Sequence, residues 1–239
     1  EGVAVTRVGP GFFDGSGLTN AALRGGRFRA AYQLATRVDE ALAAVRATAR
    51  ALVYLYWGDV DKIGHIHGPS SPQWGEEVER VDAELRRLVA SVPADTAVYV
   101  TADHGMVEVP FADRLDLARE PRLLDGVRHV GGEPRSVQLY CAPGADVDVA
   151  GAWRERLGGQ ASVIRRAEAI DAGLFGPPGA VAQRVLPRIG DVLVNALGSL
   201  AVVDTVRMRP ELLTLLGLHG SVSEEETAIP LFRWPARTA

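Results

Sequence analysis

The sequence predicts an α/β fold built around a parallel sheet. Three observations carry that prediction. Two apolar runs, Ala51-Leu52-Val53-Tyr54-Leu55-Tyr56-Trp57 and Ala97-Val98-Tyr99-Val100, have the character of buried strands. Between them, residues 72–92 repeat apolar side chains at helical spacing, and strand, helix, strand is the rhythm of a parallel sheet. Each run also leads into acidic residues and histidines, and in open α/β sheets chemistry gathers beyond the carboxyl ends of the strands.

In chain order, residues 3–8 form the first strand candidate, and residues 9–17 form a Gly-rich loop with Pro10 and Asp14. The chain stays polar and glycine-broken through Arg29. A helix follows over residues 32–50, with Leu34, Val38, Leu42 and Val45 on one face. After the strand at 51–57, residues 58–69 pack Asp59, Asp61, His65 and His67 into one loop. Asp61 and His65 are four apart, so a single helical turn would point both the same way and let them share a metal. Taken alone, the stretch reads equally as a solvated loop. His65 has better spacing to Asp61 than His67 does.

The helix over 72–92 buries Val78, Val81, Leu85, Leu88 and Val89, and Pro93 ends it. The next strand stops at Asp103-His104-Gly105, where a carboxylate and an imidazole can grip one cation from two sides. A strand ending in a polar turn would look the same. After Met106 the pieces become small: a short helix at 112–119, a strand at 136–140, a helix at 149–157, a strand at 162–164 and a helix at 167–174. These predict an inserted cap over 111–188, closed by Pro177-Pro178-Gly179 and Pro187, with core at 1–110 and 189–239. His129 reads as a surface histidine on a glycine-rich loop. Residues 191–196 return as a buried core strand. Late in the chain come Leu218-His219-Gly220-Ser221, then Ser223 and Glu226 in capping-box spacing, and a last strand at 229–232.

The bulk numbers exclude several classes. The chain has 239 residues, 47% of them hydrophobic, and a net charge of −4, so it can bury a core and offers no basic footprint for nucleic acid. Cys141 is the only cysteine, which rules out an internal disulfide and a cysteine cluster that binds metal. No apolar run approaches about 18 residues, so no membrane span is expected. The single cysteine and the lack of a visible export signal point to the cytoplasm. The start at Glu1-Gly2, with no methionine, reads as the middle of a longer protein. Gly9-Pro10-Gly11 and Gly15-Ser16-Gly17 do not make a dinucleotide fingerprint.

Asp61-x-x-x-His65 with Gly68-Pro69 just after it, Thr101-Ala102-Asp103-His104-Gly105-Met106, and His219-Gly220-Ser221 before Ser223-x-Glu225-Glu226 resemble, in that order, the alkaline phosphatase superfamily. The nucleotide pyrophosphatase/phosphodiesterase branch looks closest. The resemblance implies a mostly parallel sheet with helices on both faces, a small α/β cap, and two divalent metal ions, zinc above all. It places Asp61, His65 and His219 on one metal and Asp103 and His104 on the other. It implies a small phosphorylated substrate, a phosphate diester or pyrophosphate of nucleotide-like kind, cleaved by two-metal in-line displacement. Tyr56 would lie by the pocket and stack on a base; a strand tyrosine packed in the core is the equal alternative.

The nucleophilic Thr or Ser and a further aspartate, expected well before the Asp-x-x-x-His motif, match nothing here. Thr6, Ser16 and Thr19 lack the strand-to-helix context, and the chain resembles the C-terminal part of such an enzyme. A phosphomonoesterase, phosphonate hydrolase or phosphomutase of the same superfamily, or an inactive metal-binding fragment, fits the same motifs.

Overall fold

A computed structural model describes residues 2–177 and 179–237, and Pro178 of the predicted Pro-Pro-Gly punctuation lies outside them, as does Glu1. The chain divides into two compact units. The first holds residues 1–63, 72–101 and 230–239; the second holds 64–71 and 102–229.

The first unit contains the parallel sheet that the sequence predicts. Ala4–Gly9 runs in its centre, flanked by Arg27–Ala30 and Ala51–Leu55, both parallel to it. The flanking strand Arg27–Ala30 and the short helix Gly17–Ala22 before it were expected as loop. The helix is started by Ser16, whose Oγ accepts from Thr19 N at 3.3 Å. Glycines and arginines hide such short elements from a reading based on periodicity. The long helices are Leu34–Arg46 and Pro72–Ser91. Val38, Leu42 and Val92 form their shared core, against Leu55, Leu88 and Val98.

Two expectations fail in this unit. Val98–Thr101, which the strand-helix-strand order places in the parallel sheet, pairs antiparallel with Leu231–Trp234, Val100 opposite Phe232. Among the described residues no strand bridges it to Ala51–Leu55. The apolar runs read as buried strands are also covered on one face only. Leu52 is 58% exposed, Tyr54 45% and Tyr99 59%, while Val53, Leu55, Val98 and Val100 turn inward.

The second unit is built on a four-stranded antiparallel sheet. Its order is Val127–Glu133, Ser136–Cys141, Val192–Ala196, Ala161–Arg165. The helix Asp146–Leu157 packs on it through Val149, Trp153 and Leu157, and the fully buried Trp153 donates its Nε1–H to Leu123 O at 2.9 Å. Val192–Ala196, expected to return to the core sheet, sits inside this one instead. Val192 and Val194 complete the core of Leu139 and Trp153 on one face, Leu193 packs with Ala169 and Ile189 on the other, and all five residues of the strand are buried. The helix expected at 112–119 is absent. Arg114–Asp116 is a strand parallel to Ala201–Val203, between two 3₁₀ turns. Arg114 holds it extended by donating to the carbonyls of Leu213 and Leu215. His129 lies on the strand Val127–Glu133 rather than on a loop, and it is exposed there. No described helix is long and apolar enough to cross a membrane.

Candidate metal centre

The segment with two aspartates and two histidines folds as the helix Asp59–His67. Asp61 and His65, one turn apart, share its face, while His67 is exposed at its end. The C-terminal half of the helix is fastened to the short strand Gly217–Leu218. Leu216 N donates to His65 O at 2.7 Å, and His65 Nδ1 lies 2.7 Å from Gly217 O. A carbonyl only accepts, so His65 carries its proton on Nδ1 and turns its Nε2 lone pair outward. A carbonyl partner that fixes the tautomer in this way is the common support of a metal-binding histidine.

His219 follows that strand. Its ring centroid is 5.1 Å from that of His65. One donor atom from each of Asp61, His65 and His219 lies within 4.8 Å of the others, the one such cluster of three among the described residues. Ligands on a common zinc ion, each bonded at about 2 Å, stand about 3–4 Å apart. A small side-chain adjustment therefore brings these three onto one cation, and two imidazoles with a carboxylate are a donor set that zinc and similar ions favour.

His104 stacks on His219 with ring centroids 3.6 Å apart and planes 17° apart. Its Nδ1 donates to Gly105 O at 2.9 Å, which again leaves Nε2 as the donor atom for a cation. Asp103 is exposed, its Oδ1 3.7 Å from His104 Nε2. The structure thus brings His65, His104 and His219 into one group of rings and gathers Asp61 with two of them. Asp103 and His104 have no third acidic or histidine donor clustered with them among the described residues. Tyr56 is half-buried, its ring 5.6 Å from that of Phe13, and its carbonyl accepts from Arg37 Nη1 at 2.6 Å. Thr6 is buried inside the central parallel strand, and Ser16 and Thr19 bond to each other at 3.0 Å.

Two residues that hold this group together were missed as such. Arg135 and Glu226 form a bidentate ion pair, Nε and Nη2 each 2.8 Å from a carboxylate oxygen, with both side chains buried. Arg135 also donates to the carbonyls of Gly198 and Leu200. Glu226 accepts from Ser221 N at 2.9 Å and Ser223 Oγ at 2.6 Å, while its backbone carbonyl takes the Gly105 N–H at 2.8 Å. One residue so ties the loop after His219 to the backbone after His104. Burial alone would push the Glu226 carboxyl up, but the bonds from Arg135, Ser223 and Ser221 outweigh it and hold it below the usual carboxylate range. The spacing of Ser223 and Glu226 was the available signal. It marks the start of the helix Glu224–Thr227 correctly, yet Ser223 makes no side-chain cap bond to the helix backbone and bonds the Glu226 carboxylate instead.

Comparison with known proteins places this arrangement. Human ectonucleotide pyrophosphatase/phosphodiesterase family member 7 is 38% identical over 63 residues, 24% of this chain and 14% of that protein. GPI ethanolamine phosphate transferase 3 of Eremothecium gossypii is 38% identical over 47 residues, 20% of this chain and 5% of that protein. Among solved structures, murine ectonucleotide pyrophosphatase/phosphodiesterase 5 superposes with a TM-score of 0.66 at 20% identity, covering 95% of this chain and 59% of that one. The human form of the same protein gives 0.66 at 18% identity, with the same coverage of both chains. The chain therefore spans only part of each relative, and the structural likeness speaks for the fold. The family model described as type I phosphodiesterase / nucleotide pyrophosphatase matches residues 3–221. With most of its length inside that match, and with the three motifs in order, the chain belongs to this family of the alkaline phosphatase superfamily.

Proposed function

We propose that the chain carries the metal-binding part of a hydrolase of phosphate diesters or pyrophosphates. The observation that carries this reading is the meeting of Asp61, His65 and His219 within 4.8 Å in a chain of this family. We assign these three to one divalent cation, zinc by the donor set, and Asp103 with His104 to a second. Such cations would lend positive charge to the phosphoryl oxygens and to the attacking and leaving oxygens. The protein's own part is positional. The Gly217 carbonyl aims His65, the Gly105 carbonyl aims His104, and the stack of His104 on His219 keeps the two rings parallel.

Nucleotide-like substrates are the finer reading. An inactive variant of the murine relative has been solved in complex with AMP, which supports it by analogy. Tyr56 would then be the stacking platform for a base.

Elemental analysis of the purified chain tests the assignment. We expect at least one zinc per chain, lost in His219→Ala and in His65→Ala. In a longer form that supplies the nucleophile, hydrolysis of bis(p-nitrophenyl) phosphate should stop in EDTA and return with zinc. A chain that holds no zinc, and whose thermal midpoint zinc does not raise, would sink the metal centre and the hydrolase with it.

A further inference from the structure

In the first unit, the corner that leads from the strand Ala51–Leu55 into the helix Asp59–His67 is built around Trp57. The indole Nε1–H donates to Glu77 Oε1 at 2.6 Å. Glu77 sits on the helix Pro72–Ser91 and is only 5% exposed, a burial that carboxylates accept when they are paired. Its other oxygen takes Arg80 Nη2 at 2.6 Å, and the same Nη2 stands 3.7 Å from Asp59 Oδ2. Two guanidinium carbons lie over the indole ring, that of Arg37 at 4.5 Å and that of Arg80 at 5.2 Å from its centroid. Arg37, itself buried, donates Nη1 to Tyr56 O at 2.6 Å and Nε to Ala31 O at 2.8 Å. The corner is therefore gripped twice, through the backbone at Tyr56 and through the side chains of Trp57 and Asp59.

We propose that Trp57, Glu77 and Arg80, together with Arg37, are positioning residues that set where the Asp61 carboxylate stands for the cation. The proposal rests on the assignment of Asp61 to the metal centre. A nine-residue helix with a glycine at position 64 does not hold its shape on its own. Its His65 end is fastened by Leu216 and Gly217. The end that carries Asp61 begins at the corner. There Lys62 N donates to Gly58 O at 3.1 Å, the bond that closes the first turn with Asp61 inside it. Well-packed apolar side chains in place of the buried carboxylate would be at least as stable. What the hydrogen-bonded cluster adds is direction. While it holds, the first turn keeps one place and Asp61 with it; when it loosens, Asp61 drifts from the cation while His65 keeps its own support.

Lys62 is the only lysine of the chain, so labelling lysine with nitrogen-15 reports its backbone amide as a single resonance. The test measures hydrogen exchange of that amide in the metal-free 239-residue chain, and the zinc dissociation constant by competition with a chromophoric chelator. Trp57→Phe keeps an aromatic ring at the corner and removes the N–H given to Glu77. It should speed Lys62 exchange about tenfold, as loss of one hydrogen bond implies. It should weaken zinc binding about 10–100-fold, as loss of a group supporting a metal ligand does. Arg80→Ala, at a half-exposed side chain, cuts the link from Glu77 to Asp59 and should move both readouts the same way. It decides the question should Trp57→Phe not fold. Arg87→Ala is the control. Arg87 ties Pro72–Ser91 to Leu34–Arg46 through Asp39 and the Ala35 carbonyl, further along the helix, so its loss should lower the thermal midpoint and leave both readouts unchanged. Unchanged Lys62 exchange or unchanged zinc affinity in the corner variants overturns the positioning role, as does an equal effect of Arg87→Ala. Should the parent chain hold no zinc, the metal centre falls and Lys62 exchange alone decides. Faster exchange confined to the corner variants upholds the clamp, and unchanged exchange overturns it.

Discussion

Glu226 shows how much a single side chain can organise. Its carboxylate is held by Arg135, Ser221 and Ser223, and its carbonyl holds Gly105. Arg135→Ala would strand that buried carboxylate, and removing one partner of a buried pair costs about 3–5 kcal/mol. The expected outcome is a lower denaturation midpoint together with weaker zinc binding. The pH dependence has a definite sign. The folded carboxyl is held below its ordinary value of 4.5, so its contribution is complete above that value and is lost as pH falls below it. The thermal midpoint of the parent chain should therefore drop more steeply below about pH 4.5 than that of Glu226→Gln; parallel curves would refute the role given to the ion pair. The sequence made Ser223 and Glu226 visible because they are three apart. It could not pair Glu226 with Arg135, whose partner lies 91 positions away.

At the scale of elements, the centre depends on a close backbone approach. A Cβ on Gly217 would stand 2.3 Å from Gly64 O and 2.4 Å from Met106 Sδ, so the strand before His219 reaches the helix carrying His65 only because position 217 is glycine. Gly105 is as restricted, since a Cβ there would meet Glu225 O at 1.9 Å. Gly217→Ala should cost about 1–3 kcal/mol as overpacking does, and should weaken zinc binding several-fold by separating His219 from His65. Unchanged zinc affinity would show that the approach is not what sets the centre. Here the sequence was informative about contents and less so about surroundings. The four-residue spacing of Asp61 and His65 predicted a shared face, and the helix Asp59–His67 supplies it. The strand at 51–55 was misjudged as buried because Leu52 and Tyr54, though apolar, face outward.

At the scale of the molecule, the parallel sheet was legible from the strand candidates at 3–8 and 51–57 with a helix between them, though not from the run at 97–100, which pairs elsewhere. The antiparallel sheet was not, because its strands are short and Val192–Ala196 finds both its partners across long connections, in strands that begin at Ser136 and Ala161. Pairing of that kind leaves no periodic mark in the sequence. The first unit also shows apolar side chains to solvent: Leu52 at 58%, Tyr99 at 59%, Leu231 at 72% and Phe232 at 55%. Exposed apolar strand surface invites association. Light scattering of the 239-residue chain should therefore show self-association that rises with concentration and falls when Leu231 and Phe232 are both changed to Ser. A monomer at all concentrations would contradict this.

The hydrogen bond from His65 to Gly217 joins residues 152 positions apart. That separation sets an order of events during synthesis. At ordinary ribosomal rates, about 10–30 s pass between the emergence of the helix and that of its partner strand. All four strands of the antiparallel sheet are made in that interval. Asp61 and His65 must wait for the whole of it, so the centre cannot close before every strand of that sheet has been made.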